Sequence, residues 1–147
     1  MKYEQYTVAT SASFLKFEFH SEGPKGSIKK LVLYKPFRNN PNVFNLGFGD
    51  EGKNGEINDV VVSDNKDSEK ILATVALTVY KFYENHPDCF VYVTGSTKAR
   101  TRLYRMGIVK NLNEIVNDFD LFGFIQGAWK PFEKGPDYEA FLIKKKK

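Results

Sequence analysis

The sequence predicts an α+β fold with a mainly antiparallel sheet and two main helices packed on it. Over roughly the first sixty residues, apolar and polar side chains alternate with the period of a β-strand. The period then becomes helical between residues 67 and 87. Aromatic residues make up 15% of the chain, which favours a β-containing core. At 147 residues, the whole chain fits a single domain over residues 1–147.

Four strands are predicted before the first helix, as a β-meander. In the first, Leu15, Phe17 and Phe19 point to one side and the polar residues between them point to the other. The next three read KKLVLYKPF, which stops at Pro36, then NVFNLGF and EINDVVVSD. The segments between them are rich in Gly, Pro and Asn, as is typical of turns.

The first helix is predicted from an apolar stripe at helical spacing, formed by Ile71, Leu72, Val75, Val79 and Phe82. Asp67 or Ser68 can cap its start, and Glu69 suits the positive end of the helix dipole. Pro87 ends it.

The second half of the chain is predicted as strand, helix and two strands. CFVYVTG reads as a short strand, and residues 97–109 follow as a helix. NLNEIVNDF can hold a short helix, with Asn111 and Glu114 spaced as a capping box. DLFGFIQ and YEAFLIKK close the chain around a loop that contains Trp129, and residues 144–147 form a lysine tail that we expect to be disordered.

The net charge of +4 is unevenly distributed along the chain. No acid occurs between Asp88 and Glu114, whereas this segment contains Lys98, Arg100, Arg102, Arg105 and Lys110. The remainder of the chain has 17 cations against 18 anions. Concentrated charge of this kind indicates a negatively charged partner.

The basic segment opens with Gly-Ser-Thr, and Ser96 or Thr97 can cap the helix that follows. Lys98 would lie in the first turn, where the helix dipole favours acids. A strand that leads through Gly-Ser-Thr into a helix also offers amides and hydroxyls to an anion. The predicted anion site therefore comprises Gly95, Ser96, Thr97, Lys98, Arg100, Arg102 and Arg105.

An interpretation without a ligand stays open for the same segment. Carboxylates from elsewhere, such as Glu114, Asp118 and Asp120, could pair with the arginines, and Arg stems also cover apolar surface. On a helical wheel, Ala99, Leu103 and Met106 share a narrow face that we expect to pack on the sheet. The glycine patterns of nucleotide-binding loops are absent.

Four aromatic residues are candidates for stacking on bases: Phe90, Tyr92, Tyr104 and Trp129. Phe90 and Tyr92 alternate with Val91 and Val93, so they face the other side of their strand. Such rings equally suit a second core layer or a dimer contact. Trp129 could cover a site or fill the core.

Several functional classes are disfavoured by the sequence. The two histidines, His20 and His86, lack metal-ligand spacing to each other or to Cys89, so we expect no metal and no cofactor. No apolar run reaches the roughly 18 residues of a membrane helix, and no signal peptide is evident. We therefore expect a cytoplasmic protein without a membrane partner.

The run VTGSTKARTRLYRMGI and the later PFEKGPDYEAFLIKKK resemble a family of short bacterial proteins known as a domain of unknown function. The resemblance spans most of the chain and is densest from Thr94 to Met106. It implies no activity, cofactor or catalytic residue. It implies that the basic segment, with a VTGSTxxRTRLYRM-like core, is a hallmark of the family.

The function expected from the sequence is binding of a polyanion, RNA or DNA, through residues 95–105. One alternative is a phosphate-handling enzyme that uses Ser96 and Arg100, although no general base is evident apart from the carboxylates at Asp59, Asp64 and Asp67. Another is a protein-interaction module or homodimer that uses exposed Phe and Tyr. The catalytic residues stay unassigned.

Overall fold

The computed structural model describes residues 3–58 and 64–147. Within these residues, nine strands form a mainly antiparallel mixed sheet and are accompanied by three α-helices, which confirms the predicted α+β fold class. The chain divides into two compact units. Unit 1 comprises residues up to Tyr34 together with Gly47–Asn85, and unit 2 comprises Lys35–Leu46 together with His86–Lys147.

The bounds of the elements follow in chain order. The strands are β1 (Ala9–Thr10), β2 (Lys16–Gly23), β3 (Gly26–Phe37), β4 (Asn40–Glu51), β5 (Ile57–Asn58), β6 (Phe90–Val93), β7 (Phe119–Ile125), β8 (Ala128–Pro131) and β9 (Ala140–Lys145). The helices are α1 (Ser68–Asn85), α2 (Lys98–Lys110) and α3 (Leu112–Asp118), and a short 3-10 turn spans Lys53–Gly55. β3 and β4 each contribute residues to both units.

In unit 1, β1 and β3 pair with β2 in antiparallel register, and the end of β4 pairs with β5. Phe17 and Phe19 are buried, as their alternation predicts, whereas Leu15 precedes β2 and is half-buried. The predicted strand over residues 56–64 is present at Ile57 and Asn58, and its residues 59–63 lie outside the described part of the chain.

Helix α1 buries the apolar stripe that the sequence predicts for it. Its Phe82 ring stacks on Tyr34 with centroids 4.5 Å apart, and the Tyr34 hydroxyl lies 2.8 Å from Thr78 Oγ1. The stacked rings and the hydroxyl pair fix the helix on β3.

The start of α1 is held by a polar network. The carbonyl oxygen of Asp67 accepts a hydrogen bond from the Ile71 amide at 2.9 Å, so Asp67 stands at the cap position. Its carboxylate Oδ2 accepts from the hydroxyls of Tyr6 and Ser21, both at 2.5 Å. Burial, and then the hydrogen bond to Asp67, raise the pKa of Tyr6 above its usual value.

Two adjacent lysines of β3 are neutralised by carboxylates within unit 1. Lys30 forms a buried ion pair with Asp50. Lys29 Nζ lies 3.1 Å from Glu18 Oε2 and 3.0 Å from Glu51 Oε2. Hydrogen bonds to Glu51 and then Glu18 raise the pKa of Lys29.

In unit 2, five strands pair in the order β4–β6–β9–β7–β8. Only the β4–β6 pair among these is parallel. On β4, β6, β9 and β7, alternate residues are buried on one side of the sheet: Phe44, Leu46, Val91, Val93, Phe141, Ile143, Phe119 and Leu121. Residues of the other parity form what we call the aromatic face, which carries Tyr92, Phe122, Phe124, Trp129 and Leu142.

Several expectations for unit 2 are wrong in detail. Trp129 lies in strand β8 instead of a loop, because Gln126 (φ 51°) and Gly127 (φ 75°) form a tight hairpin turn with two left-handed residues. β3 continues through Pro36 to Phe37. α3 is present, but the Asn111 side chain donates to Gly107 O at 2.9 Å and forms no capping box.

The lysine tail, residues 144–147, lies partly in the sheet. Lys144 and Lys145 lie in β9, opposite Asp120 and Phe119. The Lys146 amide donates to Asp118 O at 2.9 Å, and its Nζ donates to Val116 O. Half of the tail therefore takes part in sheet pairing.

Candidate anion-binding site

Gly95 sits where the turn after β6 meets the first turn of α2. A Cβ atom at this position would lie 2.4 Å from Thr101 N and 2.5 Å from Arg100 Cβ, so only glycine fits. The Gly95 amide donates to Thr101 Oγ1 at 3.0 Å. The glycine therefore serves close packing, and its amide is used inside the protein.

Thr97 caps helix α2, as the sequence predicts for Ser96 or Thr97. Its Oγ1 accepts from the Arg100 amide at 3.2 Å, and its carbonyl oxygen accepts from the Thr101 amide at 3.0 Å. The preceding residue, Ser96, is exposed. The Gly95 amide and the Thr97 hydroxyl are therefore both used within the protein, at the start of α2.

The buried face of α2 differs from the one expected from the helical wheel. Thr101, Tyr104 and Gly107 are buried, whereas Ala99 is exposed and Met106 is 46% exposed. The Thr101 hydroxyl donates to Thr97 O at 3.1 Å and accepts from Gly95, so its burial leaves no unsatisfied group. The expectation that Ala99 and Met106 pack on the sheet is wrong, whereas Leu103 is half-buried.

Lys98 and Arg102 lie on the outward face of α2. Both are exposed, and neither forms an ion pair with a carboxylate of residues 3–58 or 64–147. Four residues of helix separate them by about 6 Å along the axis and by about 40° around it. Helix α2 contains no acid, so this face is positively charged along its length.

Arg105 lies on the same flank of the helix but is half-buried. Around the helix axis it is about 20° from Lys98, on the side opposite to Arg102. Its Nη1 donates to Gly135 O and Pro136 O, both at 3.2 Å. The guanidinium therefore fastens α2 to the loop before β9, and carbonyl dipoles instead of carboxylates accept its hydrogen bonds.

Arg100 does not belong to this row of cations. It lies about 200° around the helix from Lys98 and is half-buried. The structure thus brings together Lys98, Arg102 and Arg105 of the seven residues in the predicted site. It separates Arg100 from them and uses Gly95 and Thr97 for the helix start.

The candidate stacking residues have different environments. Tyr104 is 8% exposed, which leaves its ring faces inside the protein. Phe90 is half-buried, with Lys144 Nζ 4.8 Å from its ring centroid. The Tyr92 and Trp129 rings lie 6.1 Å apart on the aromatic face.

Two further rings extend this pair. Phe124 lies 5.1 Å from Trp129, and Phe37 lies 5.5 Å from Tyr92. Phe37 and Trp129 are 40% and 41% exposed. Phe37 was not among the predicted site residues, because a turn was expected after Pro36, whereas β3 continues to Phe37.

Other chemistry has little support in the described part of the chain. Residues 3–58 and 64–147 contain no group of three or more His, Cys, Asp or Glu side chains that could hold a metal ion. Burial, and then the charge of Asp88, raise the pKa of Cys89, which disfavours a reactive thiolate. In the same residues, no helix has both the length and the hydropathy to cross a membrane.

An α+β protein with a positively charged helix face is the class that this fold and site define. The chain belongs to DUF6934, a family of unknown function, whose pattern matches residues 2–146. No curated protein and no solved structure is significantly similar to it.

Proposed function

We propose that this protein binds nucleic acid through phosphate contacts from Lys98 and Arg102. The observation that carries the proposal is the outward face of α2, where both cations are exposed and form no ion pair with the described carboxylates. Keeping cations in the first turns of a helix opposes the helix dipole, and a bound phosphate would offset this cost.

Phosphate contacts of this kind position a nucleic acid without selecting its sequence. Unlike Arg105, both side chains are free to follow a flexible backbone. We also propose that the protein is located in the cytoplasm of a bacterial cell. In other members of the family, the VTGSTxxRTRLYRM-like core would keep the same helix face basic.

The test is the salt dependence of binding to a labelled single-stranded oligonucleotide, measured by fluorescence anisotropy. We expect affinity to fall steeply with KCl. The double variant Lys98→Gln, Arg102→Gln should bind about tenfold more weakly at low salt, and its log–log slope should be smaller by about 1.4, since each lost contact removes about 0.7.

A charge-matched control separates a local effect from the net charge. Lys25 and Lys53 are exposed lysines of unit 1 without an ion pair to the described carboxylates. The variant Lys25→Gln, Lys53→Gln removes the same two charges and should keep the wild-type slope. Equal effects of the two double variants, or no binding by the wild type, would refute the proposal.

A second candidate function is protein binding or homodimerisation through the aromatic face. It is favoured by the exposure of Phe37 and Trp129, which lie in a continuous group of four rings with Tyr92 and Phe124. Apolar association of this kind is nearly insensitive to salt. Sedimentation of wild type and Trp129→Ser at 50 mM and 500 mM KCl distinguishes it, because a dimer should persist at both salts and weaken in the variant.

A further inference from the structure

A groove runs along the second half of α2, beside the loop that Arg105 fastens to the helix. It has a volume of about 260 Å3 and is lined by Arg105, Met106, Val109, Lys110, Lys134 and Gly135. We propose that this groove binds a phosphate monoester that carries a small apolar ring. The proposal goes beyond nucleic-acid binding by Lys98 and Arg102, because neither of those residues lines the groove.

The charge of the lining favours a dianion. Three of the six lining residues are cations, and none is an acid. The acids of the neighbouring loop, Glu133 and Asp137, are exposed and do not line the groove. A phosphate monoester carries about −1.5 to −2 charges at neutral pH, which suits a lining with several cations better than the single charge of a carboxylate does.

Arg105 is already held in position for such a ligand. Its two hydrogen bonds with the described residues both use Nη1, which fixes the guanidinium plane. Because Arg105 also lines the groove, a phosphate there would meet a guanidinium whose ordering cost is already met.

The apolar lining residues explain why we propose a ligand with a ring. Met106 is 46% exposed, and Val109 lies one turn of helix further along. A thioether makes favourable contacts with aromatic rings, and its flexible chain adapts to their shape. The groove is smaller than the roughly 300 Å3 at which drug-sized pockets begin, so it fits a ligand with a single ring.

Titration calorimetry with phenyl phosphate tests the proposal on the full chain. We expect phenyl phosphate to bind about tenfold more tightly than inorganic phosphate, which lacks the ring, and more tightly than phenol, which lacks the charge. Phenyl phosphate that binds no better than phenol would overturn the proposal.

Two variants with exposed side chains locate the site without disturbing the fold. Lys134→Gln should weaken phenyl phosphate binding about three- to fivefold, whereas the control Lys130→Gln, which changes an exposed lysine of β8 outside the lining, should not. Met106→Gln should remove the preference for phenyl phosphate over inorganic phosphate. Equal binding of phenyl phosphate by Lys134→Gln and Lys130→Gln would refute the proposal that the groove is the binding site.

Such a ligand could be a free small molecule or the phosphorylated end of a nucleic-acid strand. A 5′-phosphorylated oligonucleotide that binds more tightly than its 5′-hydroxyl form, with the difference lost in Lys134→Gln, identifies the strand end. Phenyl phosphate binding without that difference identifies a free ligand. The Lys98→Gln, Arg102→Gln variant should retain phenyl phosphate binding, so the groove is tested separately from the proposed function.

Discussion

Strand β3 in unit 1 and the outward face of α2 in unit 2 differ in how their cations are neutralised. In unit 1, Lys30 is buried against Asp50, and Lys29 lies between Glu18 and Glu51. In unit 2, Lys98 and Arg102 are exposed on α2 without an ion pair to the described carboxylates. The paired cations of β3 therefore contribute to folding, whereas Lys98 and Arg102 of α2 contribute little to it.

This difference matters more than the number of charges in each unit. Removing one partner of a buried ion pair is strongly destabilising, because the remaining charge is left buried without a counter-charge. Exposed cations that repel each other and oppose a helix dipole lower the stability of the fold slightly. Variants of the two sets should therefore separate stability from binding.

The largest expected effect comes from breaking the buried pair of unit 1. Asp50→Asn should lower the free energy of unfolding by about 3–5 kcal/mol, because it leaves the Lys30 ammonium buried beside a neutral amide. Urea denaturation measures the loss. Replacing both partners, Lys30→Met with Asp50→Leu, should recover most of it, and a double variant as unstable as Asp50→Asn would contradict this explanation.

The next largest effect is expected at Gly95 in unit 2, which lies very close to the backbone of Thr101. Gly95→Ala should cost about 1–3 kcal/mol, since its Cβ would meet the backbone of Thr101. At Gly47 in β4, a Cβ would lie 3.5 Å from Ile57 Cδ1, an ordinary contact. Gly47→Ala should therefore leave stability unchanged or raise it by about 0.4–1 kcal/mol. Thermal unfolding of both variants checks the opposite signs.

A smaller effect compares the starts of the two long helices. Thr97 caps α2 with its own side chain, whereas the Asp67 carboxylate at the start of α1 is used by Tyr6 and Ser21. Thr97→Ala should cost about 1 kcal/mol in chemical denaturation, and Thr97→Ser should not. Equal losses in both variants would show that the hydroxyl does not stabilise the helix.

The smallest effect has a different sign in the two units. Lys98→Gln should raise stability by about 0.3 kcal/mol at low salt, because it removes a cation from the positive end of α2. Lys29→Gln should lower stability, because it removes the partner of two carboxylates. Both differences should shrink in 0.5 M NaCl. A loss of stability in Lys98→Gln would show that the fold depends on this lysine.

Much of the fold could be predicted from periodicity. The stripe of α1 is buried as expected, and so are Phe17 and Phe19 of β2. The hairpin of β7 and β8 was missed because Gln-Gly is a weaker signal for its tight turn than Asn-Gly or Asp-Gly. Lys144 and Lys145 pair with β7 in the sheet, and local composition does not encode this pairing.

The candidate site could be predicted only in part. Cation density identifies α2, but the face it buries depends on Thr101 and Gly107, which hydropathy does not mark as core residues. Gly95 resembles an anion-binding glycine in sequence, whereas its role is steric. The groove was not predicted, because Lys134 and Gly135 approach Arg105 from a loop distant in sequence.

Trp129 has a practical consequence for experiments on this protein. It is the one tryptophan in the sequence, it is 41% exposed, and its indole contacts Tyr92 and Phe124. Its emission spectrum is therefore an intrinsic reporter of whatever covers the aromatic face. A partner that docks there will shift the emission maximum to shorter wavelength. A ligand that contacts α2 alone will leave the emission maximum unchanged.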